Sequence, residues 1–171
     1  MRTSYSTIIP HSKRIVEDPV DQRQLTLTEQ QLFDAVGKND YNGVVCALRA
    51  GANVNAHNFF GATPLQYAAL NDFFQIGRLL IEKGANVNST SSNTSWTPLH
   101  NAACNGHCRF LQLLIDSGAD VHAHDKDGRT PLEVAAHHSR PILEVAMARP
   151  PTTNRALKMT KRRQGPELPD R

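Results

Sequence analysis

A chain of 171 residues, 39% hydrophobic and 20% charged with a net charge of +3, has the size and balance of one soluble domain with a buried core. Its apolar runs, such as Leu79-Leu80-Ile81 and Leu113-Leu114-Ile115, fall far short of the roughly 20 residues of a membrane span. Met1 to Pro10 lacks the apolar stretch of a secretion signal, and three cysteines (Cys46, Cys104, Cys108) do not make a disulfide framework, so a reducing compartment is expected and a membrane or Sec-exported protein is not.

Taken in chain order, residues 1–27 read as a flexible leader or short docking peptide, with Ile8-Ile9-Pro10 and Ile15-Val16 as isolated apolar spots. Thr28-Glu29-Gln30-Gln31 has the spacing of a capping box, and Leu32, Phe33, Ala35 and Val36 give the helix that follows one apolar side. Then a pattern returns three times. Thr63-Pro64-Leu65-Gln66-Tyr67-Ala68-Ala69, Thr97-Pro98-Leu99-His100-Asn101-Ala102-Ala103 and Thr130-Pro131-Leu132-Glu133-Val134-Ala135-Ala136 match in register. So do Gly51-Ala52-Asn53-Val54-Asn55, Gly84-Ala85-Asn86-Val87-Asn88 and Gly118-Ala119-Asp120-Val121-His122. The period is about 33 residues, that of a stacked helix pair, and one inserted residue lies in the loop between Ser89 and Trp96.

Each unit has a direct physical reading. Thr then Pro is an N-cap followed by the first helical position, where a missing N–H costs nothing. The Ala-Ala pair allows close approach of a second helix. Phe74, Ile76, Leu79 and Leu80, and in the next unit Phe110, Leu111, Leu113 and Leu114, recur at helical spacing ahead of a glycine suited to a left-handed C-cap. Cys108 falls where this second helix wants a buried apolar residue. Polar turn residues such as His57-Asn58 and Asp125-Lys126-Asp127-Gly128 suit a projecting, hairpin-like loop. At the end, Pro141 opens a short helix with Ile142, Leu143, Val145 and Ala146, and Arg149-Pro150-Pro151 stops it.

Over about residues 29–148 these motifs resemble the ankyrin repeat: Asp-x-x-Gly-x-Thr-Pro-Leu-His-x-Ala-Ala, an Asn-Gly-His turn, and Leu-Leu-x-x-Gly-Ala-x-Val-Asn. The departures are Asn58 for Asp, Thr94-Ser95 for the loop glycine, Gln66 and Glu133 for His, and Asn71-Asp72-Phe73 for Asn-Gly-His. The resemblance implies an all-α solenoid of helix-turn-helix units joined by hairpin-like loops. Four units are expected, 28–61, 62–95, 96–128 and 129–149, the first and last acting as caps, followed by a tail over 150–171. Residues 29–148 carry 8 Lys/Arg against 11 Asp/Glu, whereas 149–171 carry 7 against 2, so the basic character sits in a tail that should not fold alone.

The resemblance also implies contact positions at the loop tips, before Thr-Pro and at the end of each first helix. These are Phe59, Phe60, Ala62, Leu70 and Asn71, then Ser92, Asn93, Trp96, Cys104 and Asn105, then Lys126, Asp127, Arg129, His137 and His138. Exposed aromatic and Arg side chains are common interface anchors. Alternatively the Phe pair folds back onto a neighbouring loop and Trp96 fills the space left by the missing glycine. Asn88 and His122 resemble ankyrin sites of asparaginyl hydroxylation, although the same positions serve as Asx-type turn residues. Lys158, Lys161, Arg162 and Arg163 could serve nuclear import or phosphate contact, or simply be a solvated end.

Cys104-x-x-His107-Cys108 and His122-x-His124 raise a metal site, which the repeat register argues against. No hydrolase, phosphate-loop or metalloprotease motif is present. The expectation is a non-catalytic, monomeric adaptor or inhibitor with a protein partner and no cofactor, small-molecule substrate, membrane or nucleic-acid partner, in cytoplasm or nucleus. Alternatives are a regulatory or recruiting subunit, including a bacterial effector delivered into a host cell, and a nuclear factor whose basic tail touches nucleic acid.

Overall fold

The computed structural model describes residues 25–148. Within them lie eight α-helices and no strand: α1 (Leu27–Gly37), α2 (Tyr41–Arg49), α3 (Pro64–Leu70), α4 (Phe74–Glu82), α5 (Pro98–Cys104), α6 (Cys108–Asp116), α7 (Pro131–Val134) and α8 (Arg140–Ala148). The first helix of each pair packs on the next first helix, α1 on α3, α3 on α5 and α5 on α7, while α2, α4, α6 and α8 form a second layer behind them. The core runs between the layers. Leu65, Ala68, Ala69, Leu99, Ala102 and Ala103 meet Ile76, Leu80, Phe110, Leu111 and Leu114, all buried.

Cap chemistry explains why each helix starts where it does. Thr63 and Thr97 precede Pro64 and Pro98 in extended conformation, and their hydroxyls accept the N–H groups of Gln66 and His100. The second helices α2, α4 and α6 end in a shared way. Gly84 takes φ +90°, and the next N–H, that of Ala85, reaches back to Leu80 O at 2.9 Å, closing the last turn.

Four expectations need correction. The opening capping box is Thr26 with Glu29, not Thr28 with Gln31: the Glu29 carboxylate accepts Thr26 N–H at 2.8 Å, and Thr28 already lies inside α1. The fourth first helix stops after four residues, because Ala136 N–H turns to Ala103 O of the preceding unit at 2.9 Å instead of continuing its own helix. Helix α8 starts at Arg140, with Pro141 second. Cys108 is part-buried at the first position of α6, where its thiol donates to His138 O at 3.4 Å, and does not fill an apolar slot. The stop at Arg149-Pro150-Pro151, the leader and the tail lie outside the described residues.

The turn Asn71-Asp72-Phe73 keeps the geometry of Asn105-Gly106-His107. Asp72 and Gly106 take φ +55° and +75°, and Phe73 and His107 N–H bond Ala68 O and Ala102 O, each at 3.0 Å. Asp72 thus occupies a left-handed position that glycine fills freely. Asp72→Gly should raise the unfolding free energy by about 0.5–1 kcal/mol, read as a higher urea midpoint at unchanged slope.

Candidate protein-binding face

Three loops project from the starts of α3, α5 and α7, and each is closed by the same backbone bond. Asn58, Ser91 and Asp125 donate N–H to Ala62 O, Trp96 O and Arg129 O at 2.9, 3.0 and 2.9 Å. In the first loop Asn58 Oδ1 accepts from both Phe60 and Ala62 N–H at 3.0 Å, so the carboxamide does what Asp does elsewhere. That turn lifts Phe59 and Phe60 into solvent, 88% and 65% exposed, their rings edge to face at 5.8 Å. In the second loop the inserted residue widens the turn, so that Ser95 N–H bonds Ser91 O at 2.9 Å, and Ser95 takes the left-handed place of the missing glycine at φ +57°.

The third loop is built on Asp125. Its Oδ1 accepts Asp127 and Arg129 N–H at 2.9 and 2.8 Å, and its Oδ2 accepts Trp96 Nε1 and Arg129 Nε at 3.1 and 3.0 Å. Burial alone would raise the Asp125 pKa. The Arg129 N–H and guanidinium, the Trp96 indole and the Asp127 N–H outweigh it and pull the carboxyl down to about 2 from 3.8. Arg129 also pairs with Asp127 at 2.6 Å, and Lys126 Nζ donates to Ser92 O at 2.6 Å, so both cations are engaged within the loops.

Beneath the loops a row of polar side chains ties unit to unit. Gln66 Oε1 accepts Thr63 N–H at 2.8 Å, while its Nε2 donates to Ser89 O and Trp96 O at 3.2 and 2.5 Å. His100 has the same two jobs: Nδ1 accepts Thr97 N–H, which puts the proton on Nε2, the donor to Arg129 O, both at 3.2 Å. Glu133 accepts Thr130 N–H at 2.6 Å and has no proton to pass on. Burial lowers the His100 pKa from 6.5, the Arg129 carbonyl and the Asp125 charge opposing it only in part. The folded state therefore resists a proton that the unfolded chain accepts, so stability is complete above 6.5 and declines as pH falls below it. His100→Gln, which copies Gln66, should remove that decline, measured as urea midpoints compared between about pH 7 and pH 5.

Several of the expected contact residues come together. Phe60, Ala62 and Leu70 line an open groove of about 200 Å³ together with Asn93 and Trp96, and Trp96 lies on His100 with ring centres 6.1 Å apart. Leu70 is 44% exposed. Tyr67 and Asn101 also line this groove and escaped the sequence reading. Their signal was a shared register, four residues after Thr63 and Thr97.

Other expected residues face elsewhere. Asn71 and Asn105 fold onto their own helices, donating to Tyr67 O and Asn101 O at 2.9 and 2.8 Å. His137 and His138 do not end a helix but sit in the turn after α7, rings 6.5 Å apart and exposed. Cys104 is exposed at the end of α5. Asn88 is on a different set of loops, where it accepts Asp120 N–H at 2.8 Å and donates to Gly118 O at 3.2 Å; His122 N–H bonds Asp120 Oδ1 at 2.9 Å. Among the described residues no three His, Cys, Asp or Glu side chains gather where they could hold a metal ion, and no helix is long and apolar enough to cross a membrane. Lys158, Lys161, Arg162 and Arg163 lie outside the described residues.

A family model described as ankyrin repeats in three copies matches residues 32–125 and 96–148, well over half of the chain. The chain belongs to the ankyrin-repeat family. Its repeats are a protein-interaction module, the use to which this open scaffold of stacked helix pairs is suited. A curated relative is XBAT34 of Arabidopsis thaliana, described as an E3 ubiquitin-protein ligase, 35% identical over 72 residues. The match covers 42% of this chain but only 19% of that protein.

Proposed function

We propose that this ankyrin-repeat protein is a non-catalytic adaptor or inhibitor that binds a protein partner on the face formed by its loop tips and first helices, centred on Phe59, Phe60, Leu70 and Trp96. The observation that carries the reading is the Phe59–Phe60 tip, two large apolar side chains held 88% and 65% in water by a turn that does not use them. Exposed aromatic residues around a groove are what an interface buries. Capture from a cell lysate tests it, using the wild-type chain against the double variant Phe59→Ala and Phe60→Ala, after both are shown to melt alike. Loss of a specific protein with the variant supports the reading; identical recovery by both chains refutes it. Trp96 is left intact in this test because its indole also holds Asp125.

The likeness to a stretch of XBAT34 favours a second reading, in which the repeats recruit their partner to an enzyme rather than inhibit it. Under that reading the captured assembly contains an enzyme whose activity on the partner depends on this chain. Catalysis is assigned to neither reading.

A further inference from the structure

The groove beside the loop tips and first helices restricts what can occupy it. Aromatic Phe60, Tyr67 and Trp96, with Leu70, share its lining with uncharged polar residues such as Gln66 and Asn93, and no Asp, Glu, Lys or Arg lines it. The nearby cations are already engaged, Lys126 with Ser92 O and Arg129 with Asp125 and Asp127. A charged side chain entering here would lose water and find no opposite charge. The groove is open and about 200 Å³ in volume, enough for a few side chains of an extended segment. The polar groups that Tyr67 and Asn101 bring, a phenol and a carboxamide, can donate to backbone carbonyls.

Aromatic side chains, uncharged polar groups able to donate to carbonyls and the absence of charge are together the complement of a chain that presents pyrrolidine rings and carbonyls and has few N–H groups to satisfy. We propose that the groove between Phe60, Tyr67 and Trp96 binds an uncharged, proline-containing segment of the partner in the polyproline II conformation. This rests on the binding-face reading above and names the chemistry of its occupant.

Trp96 is the single tryptophan of the chain, so its emission reports on this groove. Titrating the full chain with a polyproline peptide should shift that emission to shorter wavelength and saturate. Tyr67→Ala and, separately, Phe60→Ala should each weaken binding about tenfold, with melting near that of the wild type because both side chains are exposed. A peptide with alanine in place of proline, or with aspartate or lysine at alternate positions, should bind more weakly by about tenfold or more. No saturable change with polyproline, or equal binding of the alanine peptide, overturns the proposal. If polyproline fails while lysate capture still depends on the Phe59–Phe60 pair, the occupant is wrong and the binding-face reading stands. If polyproline binds while capture ignores the pair, the groove chemistry stands and that reading falls.

Discussion

Phe110→Ala should lower the unfolding free energy by about 3–5 kcal/mol, a large part of the about 5–15 kcal/mol typical of a domain. Phe110 is fully buried on α6, and the end of its ring lies over Gly77 of α4, where a Cβ would collide with ring atoms Cζ and Cε2. The glycine in the middle of a helix is thus explained by its neighbour. Gly77→Ala would gain about 1 kcal/mol of helix propensity, but overpacking costs about 1–3 kcal/mol, so the variant should be destabilised. In a Phe110→Leu background the methyl finds room, and the same Gly77→Ala change should become neutral or favourable. Urea denaturation of the four chains gives the coupling directly. If the two penalties simply add, the ring does not dictate the glycine and the account of how α4 meets α6 is wrong.

Replacing Asp125 should have the largest effect outside the core. Its carboxylate is 1% exposed and collects two backbone and two side-chain donors, so Asp125→Ala leaves Trp96 Nε1 and the Asp127 and Arg129 N–H groups without an acceptor. Melting should fall by several degrees, and Trp96 emission should move to longer wavelength as the indole loosens. Asp125→Asn should fall between alanine and wild type. Its Oδ1 can still hold the turn as Asn58 does in the first loop, but its amide now meets the donors of Trp96 and Arg129. The pH dependence separates this site from His100. Asp125 is lowered to about 2 from 3.8, so its contribution is whole above 3.8 and disappears as pH falls through about 2. His100 acts earlier, below 6.5. The step below 6.5 should be absent in His100→Gln and the step through about 2 absent in Asp125→Asn, while the Glu133 carboxyl, held below its usual 4.5 by Thr130, goes on losing its contribution on acidification in both.

The scaffold was legible because its signals are local. Thr63-Pro64, Thr97-Pro98 and the glycines after α2, α4 and α6 each act within one turn of chain, and the helices follow them. What was misread turned on a competition between neighbours. Thr26 and Thr28 both stand three residues ahead of a Glu or Gln, and only the path of the chain entering α1 selects Thr26. The early end of α7 depends on Ala103 O, a partner 33 residues away that spacing does not reveal. The face was half legible for the same reason. Register found Phe60, Leu70 and Trp96, yet the bond from Trp96 to Asp125 and the internal use of Lys126 and Arg129 are long-range facts. These decide that the groove is aromatic and uncharged, where the sequence suggested an aromatic face with an available arginine.

The row Gln66, His100, Glu133 gives the array a direction of growth. Gln66 and His100 each offer a proton to the carbonyl that precedes the next Thr-Pro, at Trp96 and Arg129, whereas Glu133 has none to offer. Duplicating the middle unit, from Trp96 to Gly128, would insert a repeat whose incoming and outgoing bonds are both already specified. Appending a repeat after α8 would present a carbonyl to a carboxylate, and would require Glu133 to become Gln or His first. A lineage that lengthened this protein by tandem duplication would therefore keep the glutamate at its end and multiply the units before it.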